Sequence, residues 1–129
     1  MILTIKTDKP EAELRLYDSD TLTDEYSWVA GRELSNQIMI KVNELLAKNN
    51  LNLKDLGAVI VFRGPGSFTG LRIGVTVANT IGYSLNIPVI GGQGTDWIEQ
   101  SITKVTSDDY SHPVSPIYGA PVNITKQRK

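Results

Sequence analysis

Apolar and polar residues alternate in three short stretches near the start of the chain, Ile2 to Ile5, Glu13 to Tyr17 and Glu25 to Ala30. A period of two predicts strands with one face buried, and links as short as Asp8, Lys9 and Pro10 predict an antiparallel meander. From Glu33 to about Asn49 the period changes, and Leu34, Ile38, Val42, Leu45 and Leu46 fall within one narrow arc of a helix. Met39, Ile40 and Ala47 lie off that arc, either as scattered surface apolar residues or as positions that something covers. Leu56 to Phe62 is apolar in succession, which implies a strand buried on both faces. Thr69 to Leu85 then predicts a second helix closed by Asn86 and Pro88, Pro88 to Gly91 a short strand, and Thr95 to about Val105 a third helix. From Thr106 the periodicity ends, and Pro113, Pro116 and Pro121 mark an extended tail. The expected organisation is an α/β lobe over residues 1–105, a mixed sheet with an antiparallel meander and helices, followed by a tail over 106–129.

Within the second helix, Gly70, Gly74, Ala78 and Gly82 recur every four residues and make a ridge along which another backbone can come close. Glycine inside a helix costs about 1 kcal/mol relative to alanine, so close packing is the expected compensation. That packing is against the protein's own sheet and first helix, or against a second chain. The second account places Met39, Ile40, Gly70, Leu71, Gly74, Val75, Ala78 and Gly82 in a partner interface.

Composition narrows the function. The chain has 129 residues, enough for one core, with thirteen Lys and Arg against fourteen Asp and Glu and a net charge of −1. No global electrostatic attraction to nucleic acid or membrane follows from that balance. There is no cysteine and only one histidine, His112, so disulfide and thiolate chemistry are excluded and no metal or other cofactor is expected. A charged start without a signal-like segment and the lack of a membrane-length apolar run give a cytoplasmic expectation.

The most distinctive stretch is GPGSFTGLR, Gly64 to Arg72, set between the buried strand and the second helix. Ligands of open α/β sheets commonly bind at such a strand-to-helix turn. A P-loop requires a lysine that this loop lacks. Gly64, Gly66 and Gly70 approach a dinucleotide fingerprint, but the acidic residue expected about 20 positions on falls in an apolar stretch. A bare anion site using the hydroxyls of Ser67 and Thr69 remains, as does the commoner use of both as helix caps. Ser67 lacks the nucleophile-elbow spacing, and His112 sits in the tail without an orienting acid. Asp8, Asp18, Asp20 and Asp24 are explained by turn chemistry.

GPGSFTGLRIG, preceded by VIVF and followed by a small-residue helix that ends in IPVIG, resembles the signature of the TsaB (YeaZ) family, over roughly Leu56 to Gly92. The order of elements is similar to the first lobe of the actin-like, Hsp70-like ATPase fold, a ribonuclease H-like architecture. In that family the motif loop corresponds here to Gly64, Pro65, Gly66, Ser67, Phe68, Thr69, Gly70 and Arg72. The resemblance implies a non-catalytic scaffold rather than an enzyme. It implies pairing with a TsaD-like catalytic subunit, assisted by a TsaE-like ATPase, in making threonylcarbamoyladenosine on tRNA. The pairing surface implied is the two helices Glu33 to Asn49 and Thr69 to Leu85, with tRNA engaged indirectly and no membrane contact.

The chain also departs from that pattern. Lys6, Thr7 and Asp8 stand where the family has Asp-Thr-Ser, which alters the first phosphate loop at its acid. A second lobe is replaced by SPIYGAPVNITKQRK, Ser115 to Lys129, similar to the P-x-Y-x-x-P ending of the family. Lys126, Arg128 and Lys129 are then candidates for contact with tRNA or a partner. Two other readings stay open: a small nucleotide-binding enzyme using the Gly64 to Gly70 loop, and a homodimer formed through the same helical face.

Overall fold

The computed structural model describes residues 1–66 and 68–107. Strands β1 (Ile2–Lys6), β2 (Glu11–Asp18) and β3 (Thr21–Val29) form the meander, and helix α1 (Leu34–Lys48) follows a short 3-10 turn. Strand β4 (Ala58–Gly64), helix α2 (Phe68–Leu85), strand β5 (Val89–Gln93) and helix α3 (Trp97–Ser107) complete the described chain. The sheet order is β3-β2-β1-β4-β5. β2 is antiparallel to both β1 and β3, whereas β4 runs parallel to β1 and β5. The predicted mixed sheet and all eight predicted elements are present. β3 begins four residues earlier than expected, because its first three residues are exposed and carry no burial signal.

The period of two decides which side chains go where. Leu3, Ile5, Leu14, Leu16, Val59 and Val61 point to one face and pack under α1 and α2. Ile2, Ala58, Ile60, Phe62 and Ile90 point to the other, under Trp97 and Ile98 of α3. Strand β4 is thus buried on both sides, which explains its unbroken apolar run. On α1 the predicted arc of Leu34, Ile38, Val42, Leu45 and Leu46 is the buried one. Burial of each such Leu or Ile stabilises the fold by roughly 1.5–3 kcal/mol.

Helix α2 packs directly on the sheet, and its small residues leave the room for that contact. A Cβ on Gly74 would collide with the hydroxyl of Thr7, and one on Gly82 with a methyl of Val89 and the carbonyl of Ile87. Ala78 is fully buried between them. The ridge therefore faces the protein's own sheet.

Edge strand β3 is fastened to α1 by polar contacts. Trp28 Nε1 donates to Gln37 Oε1 at 3.0 Å, while Tyr26 stacks on Trp28. At the other end, Asn49 Nδ2 donates to Asp24 Oδ2 at 3.0 Å, and Lys48 Nζ lies 3.4 Å from the same oxygen. The Asn49 amide, helped by the Glu25 backbone N–H and Lys48, holds the Asp24 carboxyl below the usual carboxylate range.

Two outcomes are expected. Gly82→Ala lowers stability by about 1–3 kcal/mol through overpacking, against the gain that alanine brings to an open helical site, as urea denaturation will measure. A depressed carboxyl contributes stability that is present above the ordinary aspartate range and is lost as pH falls through the folded value. Asp24→Asn therefore lowers the urea midpoint at neutral pH, and the gap between variant and parent narrows as pH falls through the folded value.

Candidate functional site

The carboxyl ends of β1 and β4 lie side by side, so the β1–β2 turn and the β4–α2 loop meet at one end of the sheet. Gly64 has φ of 122°, a conformation that favours glycine, and is joined to Pro65 by a cis peptide bond. Gly66 packs on Asp8 so closely that a Cβ there would come within 2.6 Å of the Asp8 Cβ. Thr7, buried beneath α2, donates its hydroxyl to the Gly70 carbonyl at 2.7 Å. Glycine at 74 leaves the room that this hydroxyl fills. Much of the glycine motif is accordingly spent on bringing loop, helix and turn together. Ser67 lies outside the described residues.

Lys6 and Asp8 form an ion pair at 2.6 Å, with the two side chains 18% and 11% exposed. The ammonium also sits 4.9 Å from the Phe62 ring centre, and Phe62 meets Trp97 edge to face. A metal-bound nucleotide, as implied by an ATPase-type fold, needs an acidic group free to hold the cation where Lys6 now stands. The residues present do not fit it, because the nearest carboxylate, Asp8, already neutralises a lysine. Among the described residues no three His, Cys, Asp or Glu side chains come together to hold a metal ion. His112 lies outside the described residues.

Beside this end of the sheet is a shallow depression of about 340 Å³, lined by Thr7, Lys9, Pro10, Arg32, Gly70 and Ile73 among others. It opens toward the surface shared by α1 and α2. There Ser35, Thr69, Arg72, Ile73, Thr76 and Val77 line a groove of about 470 Å³. Tyr83 and Ile40 stand out from the same pair of helices, 91% and 56% exposed.

The sequence placed its partner surface partly on the wrong side of α2. Leu71, Gly74, Val75, Ala78 and Gly82 are all buried within the chain, and Gly70 is half-buried with its carbonyl bonded to Thr7. A four-residue repeat of small side chains specifies close approach but not the partner approached. Of the residues expected to meet a partner, Ile40 is exposed and Met39 half-buried against the core. On α2, Tyr83 is exposed, while Ile73 and Val77 are half-buried against the core and line the groove. The period could have identified the outer side, because Thr76 and Thr80 mark the solvent direction. Sequence reasoning also missed the buried contact of Thr7. Its signal was a threonine at the inward register of Leu3 and Ile5.

Lys126, Arg128 and Lys129, and the whole extended tail from 108 onward, lie outside the described residues. Among the described residues no helix is long and apolar enough to cross a membrane.

Comparison with known proteins places this arrangement. The family model for TsaD, tRNA N6-adenosine threonylcarbamoyltransferase, matches residues 28–120. The tRNA threonylcarbamoyladenosine biosynthesis protein TsaB of Bacillus subtilis is 39% identical over 88 residues, covering 68% of this chain and 38% of that protein. The protein of the same name from Escherichia coli is 32% identical over 90 residues, covering 70% and 38% respectively. The chain thus spans well under half the length of these curated relatives. Among solved structures, YeaZ from Pseudomonas aeruginosa superposes with a TM-score of 0.67 at 23% identity, over 82% of this chain and 49% of that one. This likeness, with the mixed sheet and its helices, identifies the fold as one lobe of the actin-like, ribonuclease H-like architecture. Matched by the family model over most of its length and by relatives above 30% identity, the chain belongs to the TsaB/YeaZ family.

Proposed function

We propose that this chain acts in the biosynthesis of threonylcarbamoyladenosine on tRNA as a non-catalytic scaffold that binds a TsaD-like catalytic subunit through the outer surface of α1 and α2. The observation that carries the reading is the exposure of Ile40 and Tyr83 on helices whose groove between them is floored by Ile73 and Val77. Aromatic and aliphatic groups standing clear of a surface are the usual anchors of a protein interface. The names of the relatives supply the pathway, and the poor fit of a metal-bound nucleotide at Lys6 and Asp8 favours a scaffold over an ATP-using enzyme. A TsaE-like ATPase joins through the complex, and tRNA is engaged through the catalytic subunit. In this reading the cytoplasm is the working compartment.

The partner surface comprises Met39 and Ile40 on α1 with Ile73, Val77 and Tyr83 on α2. Self-association of the chain through the same two helices competes with the mixed complex.

Light scattering on a sizing column, with this chain alone and mixed with the TsaD-like protein of the same source, tests the proposal. A one-to-one mixed complex is expected. Ile40→Asp or Tyr83→Asp weakens it by 2 kcal/mol or more, about 30-fold in Kd, while the monomer keeps its melting temperature. Leu71→Asp is unsuitable as a surface probe, because a charge at that fully buried site unfolds the lobe. A parent chain that stays monomeric beside the partner refutes the scaffold role, and one that only self-associates replaces it with the homodimer.

A further inference from the structure

Lys9 and Arg32 stand 23 positions apart in the chain (32 − 9), yet they line one depression. Backbone bonds bring them together. The Ala30 and Gly31 N–H groups both donate to the Pro10 carbonyl, at 2.9 and 3.2 Å, which ties the β1–β2 turn to the 3-10 turn before α1. Gly31 has φ of 53°, a left-handed conformation that favours glycine. The amino end of α2 contributes Thr69 and Gly70, and Leu34 and Ile73 supply apolar lining.

The charge at this place is one-sided. Among the described residues no Asp or Glu lines the depression, and neither Lys9 nor Arg32 has an ion-pair partner. Asp8, next to Lys9, is taken by Lys6, and Glu33, next to Arg32, accepts from Asn36 Nδ2 at 3.2 Å. The first turn of α2 carries no acidic residue to complement the partial positive charge of its backbone N–H groups. The open groove at the opposite end of the sheet is the reverse case: about 810 Å³ in volume, it is lined by Asp18, Asp20 and Glu99 and by no Lys or Arg.

We propose that the depression between Lys9 and Arg32 is a socket for an Asp or Glu side chain of the TsaD-like catalytic subunit. It rests on the proposed pairing through α1 and α2, to which it adds a charged end. Thr69 and Ile73 line both the depression and the groove between the helices, so a protein seated on the groove reaches the socket without leaving the surface. At about 340 Å³ the depression is at the small end of ligand clefts, about 300–1,000 Å³, and suits a side chain better than a nucleotide. The planar guanidinium of Arg32 matches a carboxylate with two parallel N–H bonds, and the Lys9 ammonium supplies a further donor.

A second copy of this chain is a poor source of that carboxylate. α2 has no acidic residue, and the one acid of α1, Glu44, lies 3.6 Å from Lys41. Nucleic acid is a poor source too, because two cations beside an apolar groove do not make the extended basic track that a phosphate backbone requires. Charge pairs at an interface rim steer the encounter and fix its register more than they add affinity, so the socket decides which way round the catalytic subunit docks.

Calorimetry with the full chain and the TsaD-like protein of the same source gives the affinity, and stopped-flow mixing gives the association rate. Arg32→Glu, which sets acid against acid, is expected to weaken the complex about tenfold or more in Kd. Lys54→Glu makes the same charge change at an exposed site on the 3-10 turn after α1, and is expected to leave Kd within about twofold. Lys9→Gln with Arg32→Gln is expected to slow association and to flatten its dependence on salt. All of these side chains are exposed, so melting temperatures are expected to match the parent's. Changing the partner's exposed Asp and Glu residues to Lys one at a time is expected to find one that restores binding to Arg32→Glu.

The pairing and the socket fail separately. No complex with the parent chain removes both, whereas a complex weakened by Ile40→Asp but indifferent to Arg32→Glu removes the socket alone. A loss matched by Lys54→Glu overturns the socket by reducing the effect to net charge, and a loss that no partner acid restores overturns it as well. Loss confined to tRNA capture assigns the two cations to phosphate, and loss confined to self-association assigns them to a second copy; either result overturns the proposal.

Discussion

The close approach of α2 to the sheet is the constraint on which the rest of this lobe depends. Gly74 lies over Thr7 of the β1–β2 turn and Gly82 over Val89 of β5, so one helix is pressed against both strands that flank β4. That contact fixes where α2 begins, which brings the Gly64 to Gly66 loop onto Asp8 and the Gly70 carbonyl onto Thr7. It also fixes which side of the helix is left for solvent. Tyr83 faces outward, and Ile73 and Val77 are half-buried against the core at the flank of the helix, because the small residues face in. Glycine's helical penalty of about 1 kcal/mol per residue is offset by contacts that a larger side chain would forbid.

The fold was largely legible because its signals are periodic. Alternation marked β1 and β2, unbroken apolarity marked β4, and a single arc marked α1. Legibility failed where burial gave no pattern. β3 is an exposed edge strand, so Thr21 and Leu22 carried no strand signal although they pair with β2. The candidate surface failed differently. The spacing of Gly70, Gly74, Ala78 and Gly82 reported close packing correctly but was silent on whether sheet or partner supplied it. The Lys6 and Asp8 pair was not legible either, because two opposite charges two residues apart in a strand and turn are more often separately solvated. What makes them a half-buried pair is Phe62 from the neighbouring strand.

The two ends of the sheet have diverged in character. At the carboxyl ends of the parallel strands, the side chains of Lys6, Thr7 and Asp8 each have a partner within the chain. The opposite end is open, acidic at its rim and apolar at its floor. In this lobe, then, the end of the sheet where α/β folds usually place ligands keeps only a shallow depression, and the larger groove lies at the other end.

The parallel pairing of β1 with β4 has a consequence for the order in which the chain can fold. Ile2 lies opposite Ala58, so β1 cannot find its second neighbour until the rest of the meander and α1 have been synthesised. β1, β2 and β3 can meanwhile close on themselves through local antiparallel turns, with α1 fastened along the edge strand through Trp28 and Gln37. The nascent lobe would thus pass through a three-stranded stage whose inner edge, β1, is unpaired and apolar, a surface prone to wrong pairing until β4 emerges. Strand β4 is at once the most hydrophobic element and the late-arriving centre of the sheet, and its arrival converts an exposed edge into a core.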